Sequence, residues 1–104
     1  MHQQREPRLS LQTLQVLQAF LERPKHELAG ADLRARTGLA SGTLYPILAR
    51  LEEAEWLESE WENVDPGTAG RPRRRYYRIT ALGARGAQEA FGRIEVRREG
   101  LAWA

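Results

Sequence analysis

Apolar residues recur at helical spacing near the middle of the chain. They fall at i, i+3, i+4 and i+7 and so form one stripe along a helix. The residues of this stripe are Leu44, Ile47, Leu48 and Leu51. The positions off the stripe carry small, hydroxyl, aromatic and charged side chains: Thr43, Tyr45, Ala49, Arg50 and Glu53. Such an outward side suits a helix that enters a DNA groove, because it is slim at its start and offers donors to phosphates and base edges. An ordinary amphipathic helix with a solvated outer side is the alternative.

Pro46 lies inside this predicted helix, where a proline removes a backbone donor and crowds the preceding turn. Because that cost is tolerable only near a helix start, we expect the helix to be capped at Ser41 or Gly42 and to run to about Ala54. Pro46 then indicates either a fixed approach geometry at an exposed helix end or only a start signal.

Length and composition favour one compact domain inside the cell. A chain of 104 residues fits one domain, and the absence of cysteine excludes disulfides and thiolate metal sites. No apolar run approaches the ~18 residues of a membrane span, and the polar start of the chain lacks the apolar core of a signal peptide. We therefore expect a cytoplasmic protein with no membrane association, bound metal or cofactor.

The charges are segregated although the formal net charge is only +2. An acidic block consists of Glu52, Glu53, Glu55, Glu58, Glu60, Glu62 and Asp65. A basic block follows it and consists of Arg71, Arg73, Arg74, Arg75 and Arg78. A segregated basic block is typical of a polyanion-binding site, and a solvated charge run is the alternative. The acidic block is most simply solvated, and it would keep DNA off the wrong side of the molecule.

Two more helices are predicted before the central one. Residues 1–8 suggest a disordered tail, and Ser10 is a plausible N-cap for a helix that ends before Pro24. The broad apolar side of this helix is made of Leu11, Leu14, Val16, Leu17, Phe20 and Leu21. A second helix is expected at about 30–37, with Leu33 inward and with Gly38 closing it. Residues 38–40 then have the length of the turn in a helix-turn-helix, and residues 25–29 form either a short strand or a turn.

Alternating residues after the central helix predict a hairpin of two strands, 56–62 and 73–80. The residues between them, 63–72, carry strong loop signals. We expect Tyr77 and Ile79 to point inward and Tyr76 and Arg78 to point outward.

A last helix, roughly 81–100, is predicted to be capped by Thr80. Its stripe consists of Ala87, Phe91, Ile94 and Leu101, and Arg98 interrupts it. Gly83, Gly86 and Gly92 each cost about 1 kcal/mol relative to alanine. This helix therefore needs a partner surface, and a second copy of the chain is the simplest source.

These elements predict an α+β, mainly helical fold: a winged helix-turn-helix of three helices and a two-stranded wing hairpin. The tail would span 1–8, the DNA-binding domain 9–80 and a C-terminal dimerisation helix 81–104.

Two blocks of this sequence make the chain similar to the PadR (phenolic acid decarboxylase repressor) family of winged-helix transcription factors. The first block runs from Gly42 to Glu52 and the second from Gly70 to Gly83, within a similarity over roughly 9–91. The single C-terminal helix resembles the short subfamily. The resemblance implies a dimeric repressor of bacterial promoters whose C-terminal helix packs with the N-terminal helix of the other subunit. It also implies that a small aromatic compound bound between subunits releases DNA in some members.

The chain departs from the family pattern in three places. Glu55 stands where the family usually has glycine, and Glu27-Leu28 replaces the usual Gly-Tyr pair near His26. The last helix offers Phe91 and Ile94 but no central Trp or Tyr on which a flat ligand would stack.

The resemblance and the outward positions together predict the site residues. The predicted DNA contacts are Arg34, Arg36, Ser41, Gly42, Thr43, Tyr45, Arg50, Arg71, Arg73, Arg74, Arg75 and Tyr76. The predicted dimer contacts are Leu11, Leu14, Leu17, Phe20, Leu21, Ala87, Phe91, Ile94 and Leu101. Trp56 and Trp61 are interpreted as packing residues, and Trp103 as either a free end or a dimer contact. His2 and His26 are assigned no role.

The main hypothesis is a homodimeric, sequence-specific DNA-binding repressor at an inverted-repeat operator. The alternative is a winged-helix adaptor whose wing meets an acidic protein. An enzyme is not expected, because the sequence has no phosphate-cradling glycine motif, no metal-ligand cluster and no histidine near an evident nucleophile.

Overall fold

A computed structural model of the protein describes the backbone of residues 6–102 and the side chains of residues 6–94. The elements are α1 (Leu11–Glu22), β1 (Leu28–Ala29), α2 (Gly30–Thr37), α3 (Ser41–Glu53), β2 (Leu57–Trp61), α4 (Pro66–Ala69), β3 (Arg75–Ile79) and α5 (Ala81–Ala102). This order confirms the winged helix-turn-helix predicted from the sequence. The predicted tail lies largely outside the described residues, as do Trp103 and the side chain of Leu101.

The ends of α1 and α2 are set by local hydrogen bonds. The Ser10 hydroxyl accepts a hydrogen bond of 3.2 Å from the Thr13 amide, which confirms the predicted cap of α1. Gly38 has a φ of 73° and its amide donates to the Arg34 carbonyl over 2.8 Å, so glycine closes α2 as predicted. The three residues 38–40 then form the turn between α2 and α3.

The helix α3 begins one residue earlier than the sequence predicts. Its cap is Ala40, not Ser41 or Gly42, because the Ala40 carbonyl already accepts hydrogen bonds from the amides of Thr43 and Leu44, over 3.0 and 2.9 Å. The predicted apolar stripe of α3 is buried throughout. Burial of that stripe keeps the helix continuous past Pro46.

The sheet has three strands, one more than the predicted hairpin. Its order is β1-β3-β2, all antiparallel, with Leu57 opposite Ile79 and Trp61 opposite Arg75. The hairpin loop also contains α4, which the loop signals of the sequence do not predict. Asp65 caps α4 by accepting from the Gly67 amide over 3.2 Å, and Gly70 ends it with a φ of 69°. Strand β3 consequently starts at Arg75, two residues later than expected.

The core joins the three helices of the domain, the sheet and the first turns of α5. Its largest fully buried side chains include Phe20, Leu33 and Leu51, and Tyr77 points into it as predicted. Thr80 caps α5 as expected, since its hydroxyl accepts from the Gly83 amide over 2.9 Å. The helix runs to Ala102, two residues beyond the predicted end.

Trp56 explains two glycines of α5. Its side chain is buried, which confirms its interpretation as a packing residue. A Cβ on Gly83 would collide with the Trp56 carbonyl, and a Cβ on Gly86 would collide with the indole ring. The propensity cost of these two glycines is therefore only part of their effect, because their small size lets the helix approach the domain closely.

Candidate nucleic-acid interface

The outward side of α3 is solvent-exposed along its length. Ser41, Gly42, Ala49 and Arg50 are exposed, and Thr43 is half-buried. The opposite side of the helix fills the core, so α3 is held rigidly while this row of small and polar groups faces solvent. A helix presented in this way can enter a major groove.

Tyr45 belongs to this side and also braces α2. Its side chain is 44% exposed. Its phenol ring lies so close to Gly30, the first residue of α2, that a Cβ there would collide with the hydroxyl. The absence of a side chain at Gly30 therefore lets the Tyr45 ring pack against the start of α2.

The wing is held at its base by a pair of charged residues. Arg71 donates to both carboxylate oxygens of Glu62, over 2.6 Å to one and 2.9 Å to the other. Hydrogen bonds and charge from Arg71, supported by the Arg74 amide, lower the pKa of Glu62 to about 2. The Arg73 Nε donates to the Val64 carbonyl over 2.8 Å. Of these arginines, Arg71 is thus committed to an acidic partner within the wing.

Arg75 connects the wing to α3. Its Nε donates to the Ser59 hydroxyl over 2.9 Å, and a terminal nitrogen lies 3.3 Å from the Glu52 carboxylate of α3. Its guanidinium lies 5.4 Å from the ring centre of Trp61 and 5.9 Å from that of Tyr77. The Ser59 hydroxyl also donates to Glu52 over 2.6 Å. This network fixes the wing relative to the end of α3.

A cleft of about 720 Å³ lies between the helix-turn-helix and the wing. Arg34 and Tyr45 line it on the helical side, and Trp61, Arg73 and Arg74 line it on the wing side. Trp61 is 58% exposed, so its interpretation as a packing residue is wrong. Its indole ring instead forms part of the cleft wall.

The structure gathers only part of the predicted DNA-binding set around this cleft. Arg34, Tyr45 and the four arginines of the 71–75 segment line it together. Arg36 instead bonds to Glu22 of α1 over 3.1 Å. Tyr76 lies on the opposite face of the sheet, since it pairs with Glu60 while its neighbours Arg75 and Tyr77 face the cleft.

The acidic partners of the basic block are not evident from the sequence. The pattern predicts that Glu52 and Glu62 are solvated members of an acidic run, yet each holds an arginine of β3 or of the wing. Their positions in the sequence could have predicted the pair of Glu62 and Arg71. These two residues flank the loop of one hairpin, and a hairpin brings such residues together.

A second cavity, of about 480 Å³, lies between α1 and α5. Leu11, Leu14, Phe91 and Ile94 line it, and Leu11 is 74% and Ile94 45% exposed. Other residues of the predicted dimer set, Leu17, Phe20 and Ala87, have no exposed surface. The apolar surface offered to a second copy is therefore narrower than the sequence suggests.

The described residues contain neither a candidate metal site nor a helix that could span a membrane. No group of His, Cys, Asp and Glu side chains among residues 6–94 could hold a metal ion. Within residues 6–102, no helix is long and apolar enough to cross a membrane.

The chain matches a family model described as the transcriptional regulator PadR-like family over residues 16–89. No curated protein matches it. The family match confirms the resemblance inferred from the two sequence blocks. The family consists of transcriptional regulators, which agrees with the expectation that the chain is not an enzyme.

Solved structures show the same similarity. A PadR-like transcription factor from Bacteroides fragilis is 25% identical with a TM-score of 0.69, and the alignment covers 88% of this chain and 90% of that one. A PadR family transcriptional regulator from Eggerthella lenta is 29% identical with a TM-score of 0.68, covering 88% and 82%. The smu.1704 protein of Streptococcus mutans is 26% identical with a TM-score of 0.69, covering 90% and 88%.

Proposed function

Because this chain belongs to the PadR-like family of transcriptional regulators, we propose that it is a homodimeric repressor. In this proposal it binds an inverted-repeat operator in double-stranded DNA. One observation carries the proposal: α3 and the arginines of the wing border the same cleft. A DNA backbone that passes through this cleft would have a major groove on the α3 side and a minor groove on the wing side.

In this proposal α3 supplies sequence discrimination. Ser41, Thr43 and Tyr45 lie at its leading end, where small size and hydroxyl groups allow close approach to base edges and phosphates. Arg50, further along the helix, is exposed. It would contact the flanking phosphate backbone. Because Tyr45 also packs on Gly30, its hydroxyl position is fixed before DNA arrives.

The wing supplies affinity. Arg73 and Arg74 are exposed at the cleft, and phosphate contacts by arginine release condensed counterions. Arg34 adds a positive charge from the helical side of the same cleft. These contacts position the protein on any duplex, whereas α3 selects the sequence.

Dimerisation uses α1 and α5. The exposed side chains of Leu11 and Ile94 flank the cavity between these helices, where a second copy would bury them. A two-fold dimer presents two α3 helices to two half-sites, which is why the operator should be an inverted repeat. A small aromatic effector would enter at the same cavity, between the subunits.

The test is a salt titration of DNA binding by fluorescence anisotropy. The probes are a duplex that the parent protein selects from a random library and an unrelated duplex of the same length. Changing Arg73 and Arg74 to Ala should weaken binding to both and flatten the salt slope by about one to two units per subunit. Changing Thr43 to Val or Tyr45 to Phe should leave the slope near its parent value. It should cost ~1–3 kcal/mol of discrimination for each base-edge interaction that the variant no longer makes.

A matched control removes two arginines outside the cleft. Arg23 and Arg85 do not line it, so changing both to Ala removes the same charge without the proposed contacts. If the wing variant binds both duplexes as the parent does at every salt concentration, the wing is not a DNA element. The adaptor function, with an acidic protein at the wing, would then take its place.

A further inference from the structure

We infer that Glu62 is a positioning residue: together with Arg71 it clamps the wing so that Arg73 and Arg74 face DNA, and neither member of the pair contacts DNA itself. The inference rests on the proposed function and deepens it. It assigns a structural role to Arg71 and a DNA-binding role to Arg73 and Arg74, although these arginines are close in the sequence.

The contact between the two residues is bidentate. The two carboxylate oxygens accept from two different guanidinium nitrogens, over 2.6 and 2.9 Å, which is the paired fork geometry of a strong charge-assisted interaction. The Glu62 side chain is only 15% exposed, against 36% for Arg71. A guanidinium held in this way has its fork occupied and is a poor candidate for a phosphate.

The clamp also reaches the main chain of the residues that follow it. The Glu62 carboxylate accepts from the Arg74 amide over 3.3 Å, and the Glu62 amide donates to the Arg74 carbonyl over 2.7 Å. Arg71 further donates to the Pro72 carbonyl over 3.3 Å. Glu62 therefore helps to determine the path of residues 72–74 between the loop and β3.

The clamp closes the loop at its base. Glu62 follows the last residue of β2, and Arg71 follows Gly70, which ends α4. The Arg73 Nε also returns to the Val64 carbonyl across the same loop. Without the pair, the segment that carries α4 would depend mainly on its Asp65 cap and this single side-chain bond for its order.

The direction in which DNA affinity changes when the charge of Glu62 is removed distinguishes a positioning role from a purely electrostatic one. An acidic group near the DNA repels phosphates, so removing it should tighten binding if it acts only through its charge. If Glu62 positions the wing, removing its charge should weaken binding instead. The low pKa of Glu62 keeps it ionised throughout the pH range of such an experiment.

The experiment compares the parent with Glu62→Gln, Arg71→Gln and the double variant on the selected and unrelated duplexes. Each single variant should weaken binding about fivefold, the upper end of the scale for a partly exposed ion pair, and the double variant should be no worse than either. Arg71→Gln should leave the salt slope unchanged, because the loosened wing makes the same phosphate contacts after it has been ordered at a free-energy cost. Arg74→Gln should flatten it by about 0.9 for each phosphate that the protein no longer neutralises.

The matched control is Glu60→Gln, two residues away on β2. Its side chain is 63% exposed and does not line the cleft, so this variant should bind as tightly as the parent or slightly more tightly. Amide hydrogen exchange on the free proteins is the second measurement. Glu62→Gln should speed exchange at Arg74 and leave α3 unchanged, whereas a variant that failed to fold would speed both.

Three results would overturn the inference. If the Glu62→Gln protein binds DNA as tightly as the Glu60→Gln protein, Glu62 has no positioning role. The same conclusion follows if amide hydrogen exchange at Arg74 is unchanged in the Glu62→Gln protein. A salt slope that Arg71→Gln flattens as much as Arg74→Gln would make Arg71 a phosphate contact. A parent protein that binds neither duplex would instead refute the proposed function, and this inference with it.

Discussion

The hydroxyl of Thr80 donates a hydrogen bond of 2.7 Å to the carbonyl oxygen of Glu55. Glu55 has a φ of 63°, and in the part of the chain that the structure describes it is the only residue other than glycine with a positive φ. Its amide and that of Trp56 close the end of α3 on the carbonyls of Glu52 and Leu51, both over 2.9 Å. The glutamate that stands where the family usually has glycine thus keeps a backbone conformation that glycine adopts most easily.

Replacing Glu55 with Gly should stabilise the protein by about 1 kcal/mol, because a side chain at positive φ carries a steric cost that glycine does not. Urea unfolding followed by circular dichroism measures this. Glu55→Ala is the control, since it removes the carboxylate but keeps the Cβ and should give no such gain. Equal stabilisation by both variants would attribute the effect to the removed charge and contradict the backbone argument.

Gly83→Ala should destabilise the protein by about 1–3 kcal/mol, the scale of overpacking, because its Cβ would meet the Trp56 carbonyl. Gly92→Ala on the same helix meets open space and should stabilise it by up to about 1 kcal/mol through helix propensity. Thermal unfolding of the two variants beside the parent provides the comparison. Shifts of the same sign would show that propensity alone governs both positions.

Glu62 should titrate near pH 2, below its usual value of 4.5, because Arg71 stabilises the carboxylate. A lowered pKa means that the ion pair stabilises the fold fully above about pH 4.5 and that this contribution is lost as the pH falls from there towards 2. Carboxyl carbon NMR shifts followed against pH measure the pKa directly. Arg71→Gln should raise it, and a titration that does not respond to this change would refute the assignment of the cause.

Leu11→Glu or Ile94→Glu should convert the proposed dimer into a monomer, because both side chains are exposed apolar groups beside the cavity between α1 and α5. Leu82→Glu is the matched control, since Leu82 is a 40% exposed apolar residue of α5 that lies outside this cavity. Light scattering after size exclusion gives the mass. A dimer that survives the first two changes but not the third would place the interface elsewhere.

Much of the fold follows from short stretches of sequence. The stripe of α3, the Ser10 and Thr80 caps and the left-handed Gly38 each depend on residues within about two helical turns, and all were predictable. For the candidate site, the sequence predicts which segments carry it, and the structure brings Arg34, Tyr45 and the arginines of the 71–75 segment from that set to one cleft. The alternation of residues in β2 also placed Trp61 on the correct strand. It could not show whether another element packs against the Trp61 side chain and buries it.

Contacts between distant residues decided the rest. Glu62 and Arg71 are nine positions apart and Arg75 and Glu52 are 23 apart, so only the register of the hairpin and its docking on α3 bring them together. The same holds for Gly83, whose propensity cost is visible in the sequence while its contact with Trp56 is not. The sequence determined the elements because helix, turn and cap energies are local. The tertiary structure decided which arginines pair with acidic side chains, because two charged groups come together only when separate elements have packed.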